Sequence, residues 1–379
     1  MNFTLTQEQQ AIRNMVREFA VDEIAPRAAE IDKSGEFPMD LVKKMADLDL
    51  FGLPFPEEVG GAGADYVSYA LAVEEVSRVC ASTGITYAAH VSLGCMPLFL
   101  FGTDEQKNKW LRPMIKGEFM GAFGLTEPNA GSDAGGTQTH AVLDGDEWVI
   151  NGSKCFITNA SYAGAVTVTA VTDKEKKTNG ISAIIIPKGT PGFTVSSNYD
   201  KLGLKGSNTC ELSFDNVRVP KENLLGERGL GFKQFLKILD GGRISIAALS
   251  VGIGQACVDA SVKYARERKQ FGQPLMNFQA IQFKLADMSM HMELARLMYL
   301  KAAWMRDHGM KYGKEAAMAK LFGSEKAMEA ATQAIQIHGG YGYMKEYPVE
   351  RYFRDVKLME IGEGTSEVQR MVIARHLNS

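Results

Sequence analysis

Several short stretches of this sequence set chemically capable side chains beside residues that let a backbone bend or approach a ligand. Glu363 precedes Gly364-Thr365-Ser366, which makes it a carboxylate able to take or give a proton, or an acid favoured near a helix start by the helix dipole. Asp240 and Arg243 lie three apart in a helical pattern and so share a face, as a surface ion pair or as contacts to a polar ligand. Between them Gly241 and Gly242 cost a helix about 1 kcal/mol each relative to alanine, which close approach of a ligand or helix would explain. Arg268, followed by Gln270 and Phe271, can pair with phosphate oxygens, and Gly339-Gly340 lets a backbone come near them. Taken alone, Arg268 reads more readily as a solvated helix-end charge and the glycine pair as a helix stop. Thr126-Glu127-Pro128 and Ile157-Thr158-Asn159 put hydroxyls and amides at turns. His338, like His90 and His291, has no partner at a metal-ligand spacing, so packing or hydrogen bonding is expected of it and no metal is expected.

Composition bounds what must position these residues. At 379 residues the chain exceeds what one hydrophobic core usually holds, so two or three packed units are expected. Hydrophobic residues make up 45% and charged residues 23%, the balance of a folded globular chain. A net charge of -3 gives no field to hold nucleic acid or an anionic membrane. The charge runs Asp173 to Lys177 and Arg266 to Lys269 read as solvated loop or helix-end charge. The cysteines Cys80, Cys95, Cys155, Cys210 and Cys257 are odd in number, widely spaced and without a CxxC pair. Neither a disulfide framework nor a zinc site is suggested, and a reducing cytoplasm or organelle matrix fits. Met1-Asn2-Phe3-Thr4 leads straight into an amphipathic pattern, so no secretory signal is expected. No unbroken run approaches 18 apolar residues, so no membrane span is expected.

Periodicity divides the chain into three. Over 1–118 the pattern is helical: Thr6-Gln7-Glu8-Gln9 has capping-box spacing, and Ile12, Met15, Val16, Phe19 and Ile24 recur at helical intervals. Helical patterns follow at Leu41 to Leu50, at Val67 to Val79 and, after a second box at Thr103-Asp104-Glu105-Gln106, at Trp110 to Ile115. Over 119–227 short β-rich runs take over, with Asp144-Gly145 and Asn151-Gly152 as hairpin dipeptides and alternation from Cys210 to Phe214. Over 228–379, after the link Gly226 to Gly231, helical spacing returns at about 232–268, 278–308, 314–338 and 366–377, which suggests a bundle. No alternating βαβ pattern is present, so no Rossmann sheet is expected. Gly252-Ile253-Gly254 follows no strand, and close helix packing explains it better than a dinucleotide loop.

Five motifs, taken in order, resemble the acyl-CoA dehydrogenase family: Gly124-Leu125-Thr126-Glu127-Pro128-Asn129-Ala130-Gly131-Ser132-Asp133, Lys154-Cys155-Phe156-Ile157-Thr158-Asn159, Arg268-Lys269-Gln270-Phe271-Gly272, Gln336-Ile337-His338-Gly339-Gly340-Tyr341-Gly342 and Glu363-Gly364-Thr365-Ser366-Glu367. The resemblance covers almost the whole chain. It implies an α+β multidomain fold: a helical N-terminal domain, a middle β-barrel or sandwich domain, and a C-terminal four-helix bundle. It implies FAD, its ring along Phe123, Leu125, Thr126, Phe156 and Thr158, with Ser132, Ile157, Thr365, Ser366 and Glu367 also at the cofactor. The dinucleotide half would meet Arg268, Gln270, Phe271, Gln279, Gln336, Ile337, His338, Gly339 and Gly340 of a neighbouring subunit. The protein would then be at least a dimer, and a homotetramer built as a dimer of dimers in the family's arrangement. An acyl-CoA substrate would touch Ser132, Asp240, Gly241, Gly242, Arg243 and Gly364.

Desaturating an acyl thioester needs a base for the α-proton, an acceptor for the β-hydride and donors for the enolate oxygen. The resemblance assigns these to Glu363, to FAD, and to the Glu363 backbone N–H with a ribityl hydroxyl. Some family members place the base where this chain has Gly242, which cannot serve. Many relatives carry tyrosine where this chain has Gly362, so a roomier acyl pocket is expected. Short straight-chain acyl groups come first, from the Asp-Gly-Gly-Arg stretch, and branched, cyclic or aryl groups second. Electron-transferring flavoprotein is the implied partner. An oxidase, an enoyl-CoA reductase running the other way, and a catalytically silent FAD- and CoA-binding subunit remain open at this point.

Overall fold

Thr6 opens the first helix as its sequence predicts. Its hydroxyl accepts from the Gln9 N–H at 3.1 Å and the Gln9 side chain accepts from the Thr6 N–H at 3.0 Å, so two orphan donors are satisfied together. The structure, a computed structural model, describes residues 4–377; Met1 to Phe3, on which the expected lack of a leader rests, lie outside them. Helices α1 (Gln7–Phe19), α2 (Ala28–Ser34), α3 (Met39–Asp47), α4 (Tyr66–Val79), α5 (Ala81–Ala89), α6 (Met96–Phe101), α7 (Asp104–Gln106) and α8 (Arg112–Ile115) make up the N-terminal part. The second capping box forms at Thr103 and Gln106. Periodicity does not reveal α5, which is buried all round, or α6, which is six residues long and apolar throughout although Leu100 is exposed, because a helix without a polar face has no stripe to read.

The middle part is one sheet of β1 (Met120–Gly124), β2 (His140–Asp144), β3 (Glu147–Thr158), β4 (Ala163–Val171), β5 (Ile181–Pro187), β6 (Phe193–Val195), β7 (Thr209–Pro220) and β8 (Leu224–Leu225). Its order is β6-β7-β3-β2-β4-β5-β8, with β1 paired to β4. Asp144-Gly145 turns β2 into β3, Asp144 pairing with Glu147. Asn151-Gly152 is not a hairpin, contrary to its dipeptide signal. It lies inside β3, between partners on β2 and β7, where the register shifts between Ile150 and Gly152. Gly152 has φ 142°, and a Cβ there would lie 2.5 Å from the Thr139 hydroxyl, so glycine serves a bulge and a close approach. Trp148, Ile150, Val168, Ile184 and Leu212 centre a core of the sheet's own.

The C-terminal part holds α9 (Gly231–Glu267), the hairpin of β9 (Lys269–Gln270) and β10 (Gln273–Pro274), α10 (Gln279–Asp307), α11 (Gly313–His338), α12 (Val349–Val356) and α13 (Ser366–Leu377). The four long segments expected from periodicity match α9, α10, α11 and α13 to within a residue or two. The terminal helical parts are not separate bodies: Tyr69, Leu249 and Tyr299 belong to one shared core. Gly252 and Gly254 mark where α9 is crossed, since a Cβ would lie 2.5 Å from the Glu74 carbonyl or 2.0 Å from the Met292 sulfur. Averaged over a window, Ala81–Phe101 and Gly231–Glu267 are long and apolar enough to cross a membrane, which counting unbroken runs overlooks. Those windows are 78% and 83% buried inside the protein, as central helices of its core are. All five cysteines are free and buried.

Candidate active site

Glu363 sits in the turn that leads into α13, with φ 54°, a left-handed conformation that costs a non-glycine residue about 1–2 kcal/mol. Three hydrogen bonds hold the turn. Gln369 Nε2 donates to the Glu363 carbonyl at 3.2 Å and to the Gly364 carbonyl at 2.8 Å, and Lys320 Nζ donates to the Gly364 carbonyl at 2.7 Å. The Thr365 hydroxyl accepts from the Val368 N–H and starts the helix. So directed, the Glu363 carboxylate lies on the backbone of α9: a Cβ built at Gly242 would be 1.9 Å from Oε2. Although the residue keeps some solvent contact, Oε2 is shielded and has no hydrogen-bond partner among the described residues. Burial raises the carboxyl to about 7 against the pull of the Arg243 and Lys320 cations. A proton acceptor poised near neutrality is the result.

On α9, Asp240 and Arg243 share a face and pair at 2.5 Å. This is not a surface pair, since the Arg243 side chain is only 6% exposed and its Nε is buried without a partner. Burial pushes the Asp240 carboxyl up and the Arg243 guanidinium down, each opposing the shift in the other. Gly241 admits two neighbours: the Tyr66 hydroxyl donates to its carbonyl at 3.2 Å, and a Cβ there would lie 2.3 Å from Arg306 Nη1. The Arg306 guanidinium itself rests 3.6 Å over the Tyr66 ring.

In the sheet, a buried ion pair brings two of the motifs together. Lys154 Nζ reaches Glu127 at 2.7 Å and also donates to the Leu125 carbonyl and to the Thr137 and Thr169 hydroxyls. Burial works to raise the Glu127 carboxyl, but Lys154 and the donors from Thr137 and Gln138 outweigh it and hold it well below the usual range. The Cys155 N–H then donates to the Thr126 carbonyl at 2.9 Å, which sets Leu125 and Thr126 beside Phe156 and Thr158. Phe156 stands out from this surface, 67% exposed at φ 59°. Phe123 stacks on Phe235 of α9 with centroids 3.9 Å apart. The Ile157 side chain is buried in the sheet's core, because alternation along β3 turns it inward, which leaves its backbone as the part able to face a cofactor. Ser132 is exposed on the loop after Thr126.

Arg268, Gln270, Phe271 and Gln279 lie together at the far end of α9 and the start of α10, all exposed, Phe271 to 93%. The Arg268 guanidinium lies 5.5 Å from the Tyr341 ring, which ties it to the Gln336 to Gly342 segment. Ile337 and His338 are buried there, His338 bonding to the Ala334 carbonyl and stacking on Tyr264. A Cβ at Gly272, Gly339 or Gly340 would meet no described atom within 4 Å. From Arg243 to Arg268 is some 25 residues of helix, roughly 35–40 Å, so one chain does not bring this cluster to the Glu363 turn.

Comparison with known proteins decides the family. Residues 6–118, 122–217 and 229–378 match the models for the N-terminal, middle and C-terminal domains of acyl-CoA dehydrogenase. The chain belongs to the acyl-CoA dehydrogenase family. It is 66% identical, over 378 residues and the full length of both chains, to a probable acyl-CoA dehydrogenase of Bacillus subtilis (strain 168). The solved butyryl-CoA dehydrogenase from Megasphaera elsdenii superposes with a TM-score of 0.98 at 46% identity, covering 100% of each chain. A chain solved in work on the electron transferring flavoprotein of Acidaminococcus fermentans superposes with a TM-score of 0.98 at 50% identity, covering 100% of this chain and 99% of that one.

As an acyl-CoA dehydrogenase the chain is a flavin-dependent oxidoreductase, and its surface fits a flavin in one testable respect. Phe156 and Phe271 are exposed rings, the glycines named above leave bare backbone, and the Ser366 hydroxyl by the Glu363 turn is buried without a partner. Exposed aromatic faces and unpartnered polar atoms of this kind suit an aromatic ring with polar edges. Tyr66, Arg306, Lys320 and Gln369 border Gly241 or the Glu363 turn, and motif reading missed them. Lys320 alone left a signal, as a lysine on the small, apolar face of α11 among Ala316, Ala317, Ala319 and Gly323.

Proposed function

We propose that this protein desaturates short straight-chain acyl-CoA thioesters between Cα and Cβ, Glu363 taking the α-proton. One observation carries the reading: a shielded, unpartnered Glu363 Oε2 seated on Gly242 and lifted to about 7. A carboxylate so placed is able to accept a proton at neutral pH without first breaking a hydrogen bond. Bound FAD supplies the two-electron acceptor for the β-hydrogen. Phe123, Leu125, Thr126, Phe156 and Thr158 would hold its ring, and Thr365, Ser366 and Glu367 would border it. The Arg268 to Gly272 and Gln336 to Gly340 segments, with Gln279, would hold the dinucleotide half of a neighbour's cofactor. Their distance from Glu363 within one chain supports a site completed between subunits, and so a homotetramer built as a dimer of dimers. Arg243 and Asp240 would grip the CoA moiety with Gly241 and Ser132, while the Glu363 N–H meets the thioester oxygen. The likeness to butyryl-CoA dehydrogenase supports the short chain, and the likeness to the Acidaminococcus fermentans chain supports electron-transferring flavoprotein as the partner. The setting we infer is the cytoplasm.

Anaerobic titration of the yellow protein with acyl-CoAs, followed as flavin bleaching, tests cofactor, activity and chain length together. Glu363→Gln keeps volume and hydrogen bonding but cannot accept the proton. Flavin content and affinity for an enoyl-CoA should stay near wild type while bleaching slows by roughly 10²–10⁴-fold. Near-normal bleaching by this variant, with deamidation excluded by mass spectrometry, would sink the assignment.

A further inference from the structure

Lys320 is a fully buried lysine on α11 whose ammonium, among the described residues, bonds to a single backbone carbonyl, that of Gly364. Burying an ammonium is costly unless charge or hydrogen bonds compensate. Here one acceptor is supplied, and the nearby anion it serves is Glu363, whose carboxyl feels Lys320 as one of two opposing cations. Gln369 shares the Gly364 carbonyl at 2.8 Å, so the clamp on the turn has two members but only one of them carries charge.

We infer that Lys320 is the positioning residue of the base, its ammonium clamping the left-handed Glu363-Gly364 turn through the Gly364 carbonyl while keeping a cation beside the carboxylate. This rests on Glu363 being the base. Groups facing Glu363 come from three helices: Arg243 of α9, itself paired to Asp240, Lys320 of α11, and the Tyr66 and Tyr69 hydroxyls of α4. Around Lys320 the acids Glu360 and Glu367 favour its charge and Arg243 opposes it. Burial lowers the ammonium to about 8, so it is charged at neutral pH. Arg243, though paired to Asp240, and Lys320 both moderate the proton affinity that burial gives the base, and Lys320 alone of the two also holds the turn.

Three substitutions separate clamp from charge in the flavin-loaded enzyme. Lys320→Gln retains a donor without charge, Lys320→Met retains neither, and Lys320→Arg retains both. Bleaching by butyryl-CoA, measured in single turnovers across the neutral range, should rise with pH along a limb set by Glu363. That limb should move up by about 1–3 pH units in the Gln and Met variants, the usual effect of losing a close opposite charge. In Met the plateau should also fall by about 10–100-fold, because a base misplaced by an ångström loses that much. Arg should return the limb towards wild type. In difference infrared spectra, the carboxyl band that disappears in Glu363→Gln should titrate at higher pH in both neutral variants.

If Lys320 only fills the core, the Gln and Met variants lose thermal stability while limb and band stay in place, and the proposal is overturned. Should Lys320→Met not fold, Lys320→Gln decides alone through the same limb and band. An inactive Glu363→Gln beside an unmoved limb in Lys320→Gln defeats this proposal only. A Glu363→Gln that bleaches normally defeats the reading of the base.

Discussion

As the proposed base, Glu363 is competent only where its carboxylate is ionised, so the sign of its pH dependence follows from its surroundings. Burial holds the carboxyl near 7, and bleaching should therefore rise as pH passes through that region and level off above it. Beside it, Gly362 leaves space: a Cβ would come no closer than 3.5 Å to any atom, the Leu358 carbonyl. On the proposed reading, a tyrosine placed there would occupy room left for the acyl chain. Gly362→Tyr should shift preference towards slim acyl chains and penalise branched or cyclic ones by about 1–3 kcal/mol, through overpacking. Unchanged relative kcat/KM over a panel of such acyl-CoAs would show that Gly362 does not line the pocket.

Helix α9 carries most of the architecture, since it meets α4, α10 and α11 along its 37 residues. It comes this close to its neighbours through glycine. Gly242 leaves room for the Glu363 carboxylate, Gly252 for the Glu74 carbonyl and Gly254 for the Met292 sulfur. These positions differ in what the neighbour can do: a methionine side chain can turn aside, whereas a helix backbone cannot. Gly252→Ala should therefore cost about 1–3 kcal/mol by overpacking, despite alanine's better helix propensity. Denaturant unfolding measures this, and a stability equal to or above wild type would mean that α4 shifts freely along α9. The same glycines defeat a nucleotide-loop reading, because they face helices.

At the scale of the whole molecule, α12 joins all three parts of the chain. Arg354 pairs with Asp32 of α2 at 2.6 Å and with Glu350 at 2.8 Å, and Asp355 accepts from the Leu204 N–H at 2.6 Å in the loop before β7. Asp355 is buried. Burial, with some repulsion from Asp32, raises its carboxyl to about 7 against the Leu204 N–H. A carboxyl raised on folding contributes stability that is full below the ordinary carboxylate range and lost as pH rises through the folded value. Asparagine still accepts from Leu204 but cannot ionise. Between about pH 5 and about pH 8 the wild-type melting temperature should fall more than that of Asp355→Asn. Parallel curves would show that Asp355 does not titrate in this window.

Periodicity and capping determined the long helices, both capping boxes and the helical, β, helical order, because a stripe or a cap is satisfied by residues within a turn or two of one another. The string of motifs likewise determined the family and singled out Glu363. Only the tertiary structure decided what needs partners remote in sequence. Asn151-Gly152 became a bulge because two neighbouring strands were there to pair with it, and Ile157 turned into the sheet because alternation along β3 left it no other side. α5 went unread because burial on every face erases the pattern that betrays a helix, and α6 because its six residues are all apolar, exposed Leu100 included. Glu363, Gly242 and Lys320 stand far apart in the chain. Their meeting, which turns a loop carboxylate into an acid-base group poised near neutrality, came from the packing of α9 and α11 around the turn into α13, where loss of water and two fixed cations together set the proton's affinity.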